Sequence, residues 1–369
     1  MSALRRTTVF VAVALIWAAA AACNSSSGTS SGSPAGSSGT ASGTIALLLP
    51  ETATTRYESF DRPLFETKAM ELCPDCKVIY ENANQQADQQ RSQAQSVLAQ
   101  GTKVLVLDPV NGQTAGSIVQ LATAKNVPVI SYDRLIENAD VAYYVSFDNV
   151  KVGKLQGQAL VDKLKADGRT SGKIVMINGD DKDNNARLLN KGAHEALDGS
   201  GFTLDPKPDF FTPDWKPAKA QEFMNAEIAK LGKTGFVGVY AANDGTAGGA
   251  VAAMRANGIK TIPPLTGQDG ELAGLQRILA GDQYMTVYKA YKPEAEKTAE
   301  LAVDLLKGNK PAADTTVNNG KIDVPSFLVT PVAVTKDKIK DTIVADGLWT
   351  VDQICTTQYA KACAAVGLS

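Results

Sequence analysis

Along this 369-residue chain, short apolar runs are followed repeatedly by residues that can titrate or hydrogen-bond. Val104–Leu107 leads into Asp108, Val127–Tyr132 into Asp133 and Arg134, and Lys173–Ile177 into Asp183 and Asn185. Phe236–Tyr240 leads into Asn243 and Asp244, the short Pro264–Thr266 into Asp269, and Met285–Tyr288 into Lys289. Two of Asp133, Asp183 and Asp269 could serve as an acid and base pair. Arg134 and Lys289 argue against that, because nearby cations hold carboxyls ionised while a general acid needs a raised pKa. The chain shows no metal-ligand spacing, nucleophile elbow or phosphate loop. A set that joins both signs of charge with amides and aromatics suits the holding of a polar molecule rather than bond breaking. No catalytic residue, metal or cofactor is therefore expected. Taken singly, each residue also reads as a solvated loop or a cap, and Asp108 and Asp244 read first as helix N-caps.

Such residues act together only if the elements between them bring them to one place. Ile45–Leu49 and Lys77–Tyr80 extend the series of strand candidates, and segments of helical period separate them. Ala115, Ile118, Val119 and Ala122 follow one helical stripe, and Ala220, Phe223, Met224, Ile228 and Leu231 another. Gly101, Gly232, Gly258, Gly281 and Gly308 stand where helices should end. Alternation of this kind predicts βαβ units and parallel sheets. In open parallel sheets ligands bind at the carboxyl ends of the strands, which is where these polar residues fall. With Ile45–Tyr144 in one sheet and Lys173–Lys289 in another, facing edges would line one cleft between two domains.

Charge and cysteines narrow the class. The chain carries 37 Lys and Arg against 39 Asp and Glu. Arg5 and Arg6 precede an apolar run, Val9–Ala22, that stops at Cys23. That run is about 14 residues, short of the roughly 20 that cross a bilayer, so residues 1–22 read as a signal peptide. Ala20, Ala21 and Ala22 are the small residues of a lipoprotein cleavage site, which makes Cys23 the expected lipidated N-terminus. Residues 23–43, nearly all Ser, Gly, Thr and Ala, form a flexible tether with a reach on the order of 25 Å. Loss of residues 1–22 leaves a net charge of −4, which argues against nucleic acid or anionic lipid as a partner. Cys73, Cys76, Cys355 and Cys363 form an even set in an oxidising location. Three pairings are open, and proximity favours Cys73–Cys76 with Cys355–Cys363. The CPDC stretch follows a helix-like segment instead of opening one, so a structural bridge is expected over a redox pair. His194, the sole histidine, reads as structural or solvent-facing.

Seven motifs then follow one another in order: YDRLI (Tyr132–Ile136), SFDNVKVGKLQG (Ser146–Gly157), DNNARLLNKG (Asp183–Gly192), NDGTAGGA (Asn243–Ala250), TGQD (Thr266–Asp269), MTVYK (Met285–Lys289) and ADTTVNNGKIDVPSFLVTP (Ala313–Pro331). From about Ile45 to Trp349 the chain resembles the D-xylose-binding proteins of ABC importers, within the wider ribose- and galactose-binding family. The resemblance implies an α/β fold of two doubly wound parallel-sheet domains joined by a three-segment hinge, the type I periplasmic binding protein architecture. It also implies that Arg56, Asp133, Arg134, Asp183, Asn185, Asn243, Asp269 and Lys289 hydrogen-bond a sugar and that Tyr57 and Trp215 stack on its faces. The chemistry agrees. A pyranose shows C–H groups on its faces and hydroxyls at its rim, so flat apolar plates with a belt of planar polar groups match it. Trp215 lies in the loop-like Thr212–Pro217, whereas Trp349 reads as packing in the tail. Tyr57 stands where these relatives often carry Trp, the segment from Leu49 to Arg56 looks longer, and CPDC and the Cys355–Cys363 tail are additions.

The expected division is 44–148 with about 291–315 as an N-terminal domain, 149–290 with about 316–349 as a C-terminal domain, and a disulfide-bearing tail over 350–369. The expected function is that of a monomeric lipoprotein receptor of a sugar importer, anchored through Cys23 outside the membrane. It would take an aldopyranose, D-xylose before D-glucose, and hand it to an ABC permease and its ATPase. A sugar sensor for a membrane receptor and an extracytoplasmic glycosidase are the competing readings.

Overall fold

The computed structural model describes residues 42–368. The expected signal peptide, the lipidation at Cys23 and nearly all of the tether lie outside the described residues. In chain order the strands are β1 (Thr44–Leu49), β2 (Lys77–Asn82), β3 (Val104–Leu107), β4 (Val129–Tyr132), β5 (Tyr143–Phe147), β6 (Gly172–Asn178), β7 (Phe202–Phe211), β8 (Gly238–Ala241), β9 (Met285–Tyr288), β10 (Thr315–Asn318), β11 (Asp323–Val329) and β12 (Val332–Thr335). The first sheet runs β10-β11-β5-β4-β3-β1-β2, parallel throughout except for β10 against β11. β1 and β3 are buried along nearly their whole length, as befits parallel strands covered on both faces. Their side chains alternate between two cores: Ile45, Leu47, Val104 and Val106 pack on one side and Ala46, Leu48, Leu105 and Leu107 on the other.

The second sheet repeats the order. β7-β6-β8 are parallel, a single bridge from Val239 to Leu265 adds the expected Pro264–Thr266 segment, and a bridge from Gln268 to Val287 reaches β9. β12 closes this edge antiparallel to β9. In each sheet the second strand lies outside the first and the third on its other side, which opens a crevice at the carboxyl ends between first and third. The five glycines expected at helix ends all adopt positive φ. No helix among the described residues is long and apolar enough to cross a membrane.

The chain passes between the sheets three times: after β5, between β9 and the helix Tyr291–Leu306, and between β11 and β12. The third passage corrects the expected allotment of residues 316–349. Ser326, Phe327, Leu328 and Val329 pair in parallel with β5, and β10 folds back on them as a hairpin, so residues up to 329 complete the first sheet. Pairing with a strand 180 residues earlier leaves no local trace. β7 also escaped prediction, because Pro206 and Pro208 interrupt it. It is an edge strand, where proline is tolerated.

Both expected disulfides are formed, Cys73–Cys76 and Cys355–Cys363. The tail carries its own core, in which Ile339, Ile343, Ile354, Cys363 and Leu368 cover Leu275, Ile278 and Tyr288 of the second sheet's outer layer.

Candidate functional site

All ten residues expected to meet a ligand line one cavity, and Thr54, Leu189 and Gln268 join them. Each reaches it from the carboxyl end of a strand or the turn beyond. Arg56 and Tyr57 follow β1, Asp133 and Arg134 follow β4, Asp183 and Asn185 follow β6, Asn243 follows β8, and Lys289 follows β9. Trp215 comes from the short turn after β7, where Gly179 makes room for it. A Cβ at Gly179 would lie 2.0 Å from the indole.

Local capping holds several of these groups. Asp183 caps the helix Asn184–Leu197 by accepting from Asn185 N at 2.8 Å, and its other oxygen accepts from Trp215 Nε1 at 3.2 Å. Asn243 caps Asp244–Ala256 in a reciprocal pair with Thr246. The cap is thus Asn243, and the reading of Asp244 as an N-cap is corrected. Asp244 accepts instead from Gln283 Nε2, Thr286 Oγ1 and Glu271 N at 2.6, 3.0 and 2.9 Å. Asp108 is not a cap either. It is fully buried, 3.6 Å from Arg134 Nε, and the next helix begins at Gly116.

Asp133 and Asp269 occupy matching places. Each follows the fourth strand of its sheet with φ of 50° and 95° respectively. Each gives its backbone N–H to the fifth strand, at Val145 O and Val287 O, both at 2.9 Å. Such backbone is uncommon for a residue with a side chain and concentrates at functional sites. The Asp133 carbonyl accepts from Ser146 Oγ at 2.6 Å and Asn185 Nδ2 at 3.0 Å, which ties the two sheets' edges together.

The charges that line the cavity match in number. Arg56, Arg134 and Lys289 face Asp133, Asp183 and Asp269, all of them buried. Arg56 Nη1 lies 2.9 Å from Asp133, Arg134 Nε 3.2 Å from Asp183, and Lys289 Nζ 3.4 Å from Asp269 and 3.8 Å from Asp133. Tyr57 Oη donates to Asp133 and receives from Arg134 Nη2, each at 3.2 Å. These bonds draw the walls together, so the cavity holds only about 20 Å³, the room of roughly one water. Arg56 Nη1, Arg134 Nε and Asp269 Oδ1 make these ion pairs without a well-aligned hydrogen bond, and Gln268 Oε1 is buried with none, a condition that costs about 1–3 kcal/mol for an unpaired group. A larger groove of about 820 Å³ opens at the far end of the second sheet, past Phe236, Tyr284 and Lys336, with none of this convergence.

Arg56 is itself held from behind. Its Nε and Nη2 donate to Asp61 at 2.8 and 2.6 Å, and Nη2 also donates to Glu294 at 2.5 Å. Sequence reasoning missed both acids, since Glu294 belongs to a helix that returns from the second sheet.

Burial alone would raise the Asp133 carboxyl, but Arg56, Lys289 and Arg134 hold it down to about 2. The expectation that cations keep the site's acids ionised thus applies to Asp133. Asp183 is shifted the other way, since burial outweighs Arg134 and raises its pKa. Behind the cavity, burial pushes Asp244 up to about 7 and Glu271 up to about 8, the latter aided by the Asp244 charge. A carboxyl whose folded pKa exceeds its unfolded value near 4 stabilises fully below that value and loses its contribution as pH rises through the folded pKa. Melting temperature should therefore decline between about pH 4 and 8, and less steeply in Glu271→Gln. Equal slopes in thermal melts across that range would contradict the assignment.

Two α/β sheets with convergent carboxyl edges, one buried polar cavity between them and three chain crossings define a two-lobed binding protein. The sequence matches the family described as "Periplasmic binding protein domain" over residues 45–310, and the chain belongs to that family, with its type I fold. The relatives that follow are named as binding proteins. The chain is 40% identical to the D-xylose-binding periplasmic protein of Escherichia coli (strain K12) over 307 residues, 82% of this chain and 90% of that one. Among solved structures it resembles an ABC transporter solute binding protein from Clostridium phytofermentans with bound β-D-glucose. That match has a TM-score of 0.78 and 30% identity, covering 84% of this chain and 99% of the other. A carbohydrate transporter solute binding protein from Chloroflexus aurantiacus, in complex with D-glucose, gives a TM-score of 0.76 and 30% identity over 84% and 97%.

Proposed function

We propose that this chain is the solute receptor of an ABC sugar importer, a lipoprotein anchored through Cys23, whose two domains hinge at the three crossings and close on one aldopyranose. D-Xylose is favoured and D-glucose is the nearest alternative. The carrying observation is the charge-balanced cavity: three cations and three carboxylates, flanked by Tyr57 and Trp215, at the carboxyl edges of both sheets. A charged ligand would upset that balance, whereas a neutral polyol can bond both signs. The names of the relatives above support a monosaccharide.

On this reading the sugar enters with the domains apart. Its hydroxyls then replace the bonds that now cross the cavity from Arg56, Arg134 and Lys289 to the carboxylates. Arg56, Asp133, Arg134, Asp183, Asn185, Asn243, Asp269 and Lys289 bond the rim, while Tyr57 and Trp215 cover the faces. Groups from both domains meet the ligand only when they are closed, so binding shifts the open–closed equilibrium. Calorimetry on the mature protein should show saturable one-to-one binding of D-xylose, or of D-glucose. Absence of binding to either, and to other aldopyranoses, would overturn the reading.

A further inference from the structure

The tail beyond β12 covers the outer layer of the second sheet, yet one of its residues touches the first. Trp349 donates from Nε1 to the carbonyl of Gly270 at 2.9 Å. Gly270 is the neighbour of Asp269, at positive φ and hemmed in by Ile343 and Leu348 of the tail. A reciprocal cap between Thr350 and Gln353 starts the next helix immediately after Trp349, and the Cys355–Cys363 bridge closes the segment behind it. The indole is therefore held on the second sheet's side.

Its ring edge meets Phe60, with centroids 5.1 Å apart and planes at 85°. Phe60 belongs to the turn Tyr57–Asp61 of the first sheet, which supplies Tyr57 to the cavity and Asp61 to Arg56. Phe60 also stacks on Tyr291 at 5.7 Å. Tyr291 donates to Asp269 O at 2.5 Å and lies under the Arg56 guanidinium at 4.6 Å. A continuous path of rings thus leads from the tail to Arg56, touching both sheets beside the cavity.

We infer that Trp349 is a positioning residue for ligand capture: the tail is a clasp that stabilises the closed arrangement and holds the Arg56–Tyr57 turn over the cavity. The effect on sugar affinity rests on the function proposed above, while the effect on domain closure does not. An edge-to-face aromatic pair stabilises by an amount that corresponds to about a three- to tenfold change in an equilibrium. Trp349→Ala should bind D-xylose three- to tenfold more weakly, through faster dissociation, measured by stopped flow. Phe60→Leu should do the same from the other side, and the double variant should be at least about threefold tighter than the product of the singles predicts. Trp349→Phe keeps the ring without the N–H and guards against misfolding of the alanine variant. Without sugar, small-angle scattering should show Trp349→Ala and Phe60→Leu each more expanded than the parent protein and than Trp349→Phe.

Unchanged dissociation beside a lowered melting temperature would overturn the clasp and leave Trp349 as packing. If the parent protein binds no sugar, the proposed function fails separately and scattering decides the clasp, with equal dimensions overturning it.

Discussion

Arg56→Met should abolish measurable sugar capture and reduce folding stability by roughly 3–5 kcal/mol, the usual penalty for stranding buried partners of an ion network. Arg56 is 2% exposed and serves three carboxylates, Asp61, Glu294 and Asp133, none more than 4% exposed. Charged hydrogen bonds contribute about 1.5–3 kcal/mol each, so loss of those to the ligand alone weakens binding by at least about tenfold. The stranded acids add to that loss. Burial already pushes Glu294 well above the usual carboxyl range, with Arg56 opposing the shift, so removing the cation moves it further up. Carboxyls with raised folded pKa lose their stabilising contribution as pH rises through that pKa. The defect should therefore be smallest near pH 5 and largest near pH 8. Denaturant unfolding at the two pH values checks this, and equal losses would show that the arginine acts by packing alone.

Trp215→Ala should weaken sugar binding about ten- to a hundredfold. The indole is 7% exposed, rests on the Gly179 backbone and is oriented by its bond to Asp183, so truncation removes a rigid plate and leaves Asp183 short of a donor. Trp215→Phe retains a plate and should recover much of the loss. Calorimetry decides the matter: an alanine variant that binds as tightly as the parent protein would remove Trp215 from the site.

How much could be read in advance depended on whether the cause was local. β1 and β3 are legible because strands buried on both faces appear as uninterrupted apolar runs. The polar residues at their carboxyl ends were legible for the same reason, since a strand end fixes the direction of the turn that follows. β10, β11 and β12 were not, because their burial is mixed and their places depend on partners far away in the chain. Asp61 and Glu294 were invisible for a related reason: nothing in FDRP or KPEA marks an acid that will lie behind a guanidinium. Asp108 and Asp244 misled in the opposite sense. A carboxylate near a helix start looks like a cap, but only the position of the first helical N–H decides between Asn243 and its neighbour.

Asp133 and Asp269 carry a consequence beyond their own contacts. Strand order, the strand they follow, the sign of φ and the valine carbonyl that receives their N–H all repeat between the two halves. The molecule is built as an internal duplicate, two copies of one βα plan whose carboxyl edges meet at the cavity. Each copy contributes half a cradle, so neither can hold a guest by itself. Divergence in one copy can then reshape what is recognised on one side of the ring while the other keeps its grip.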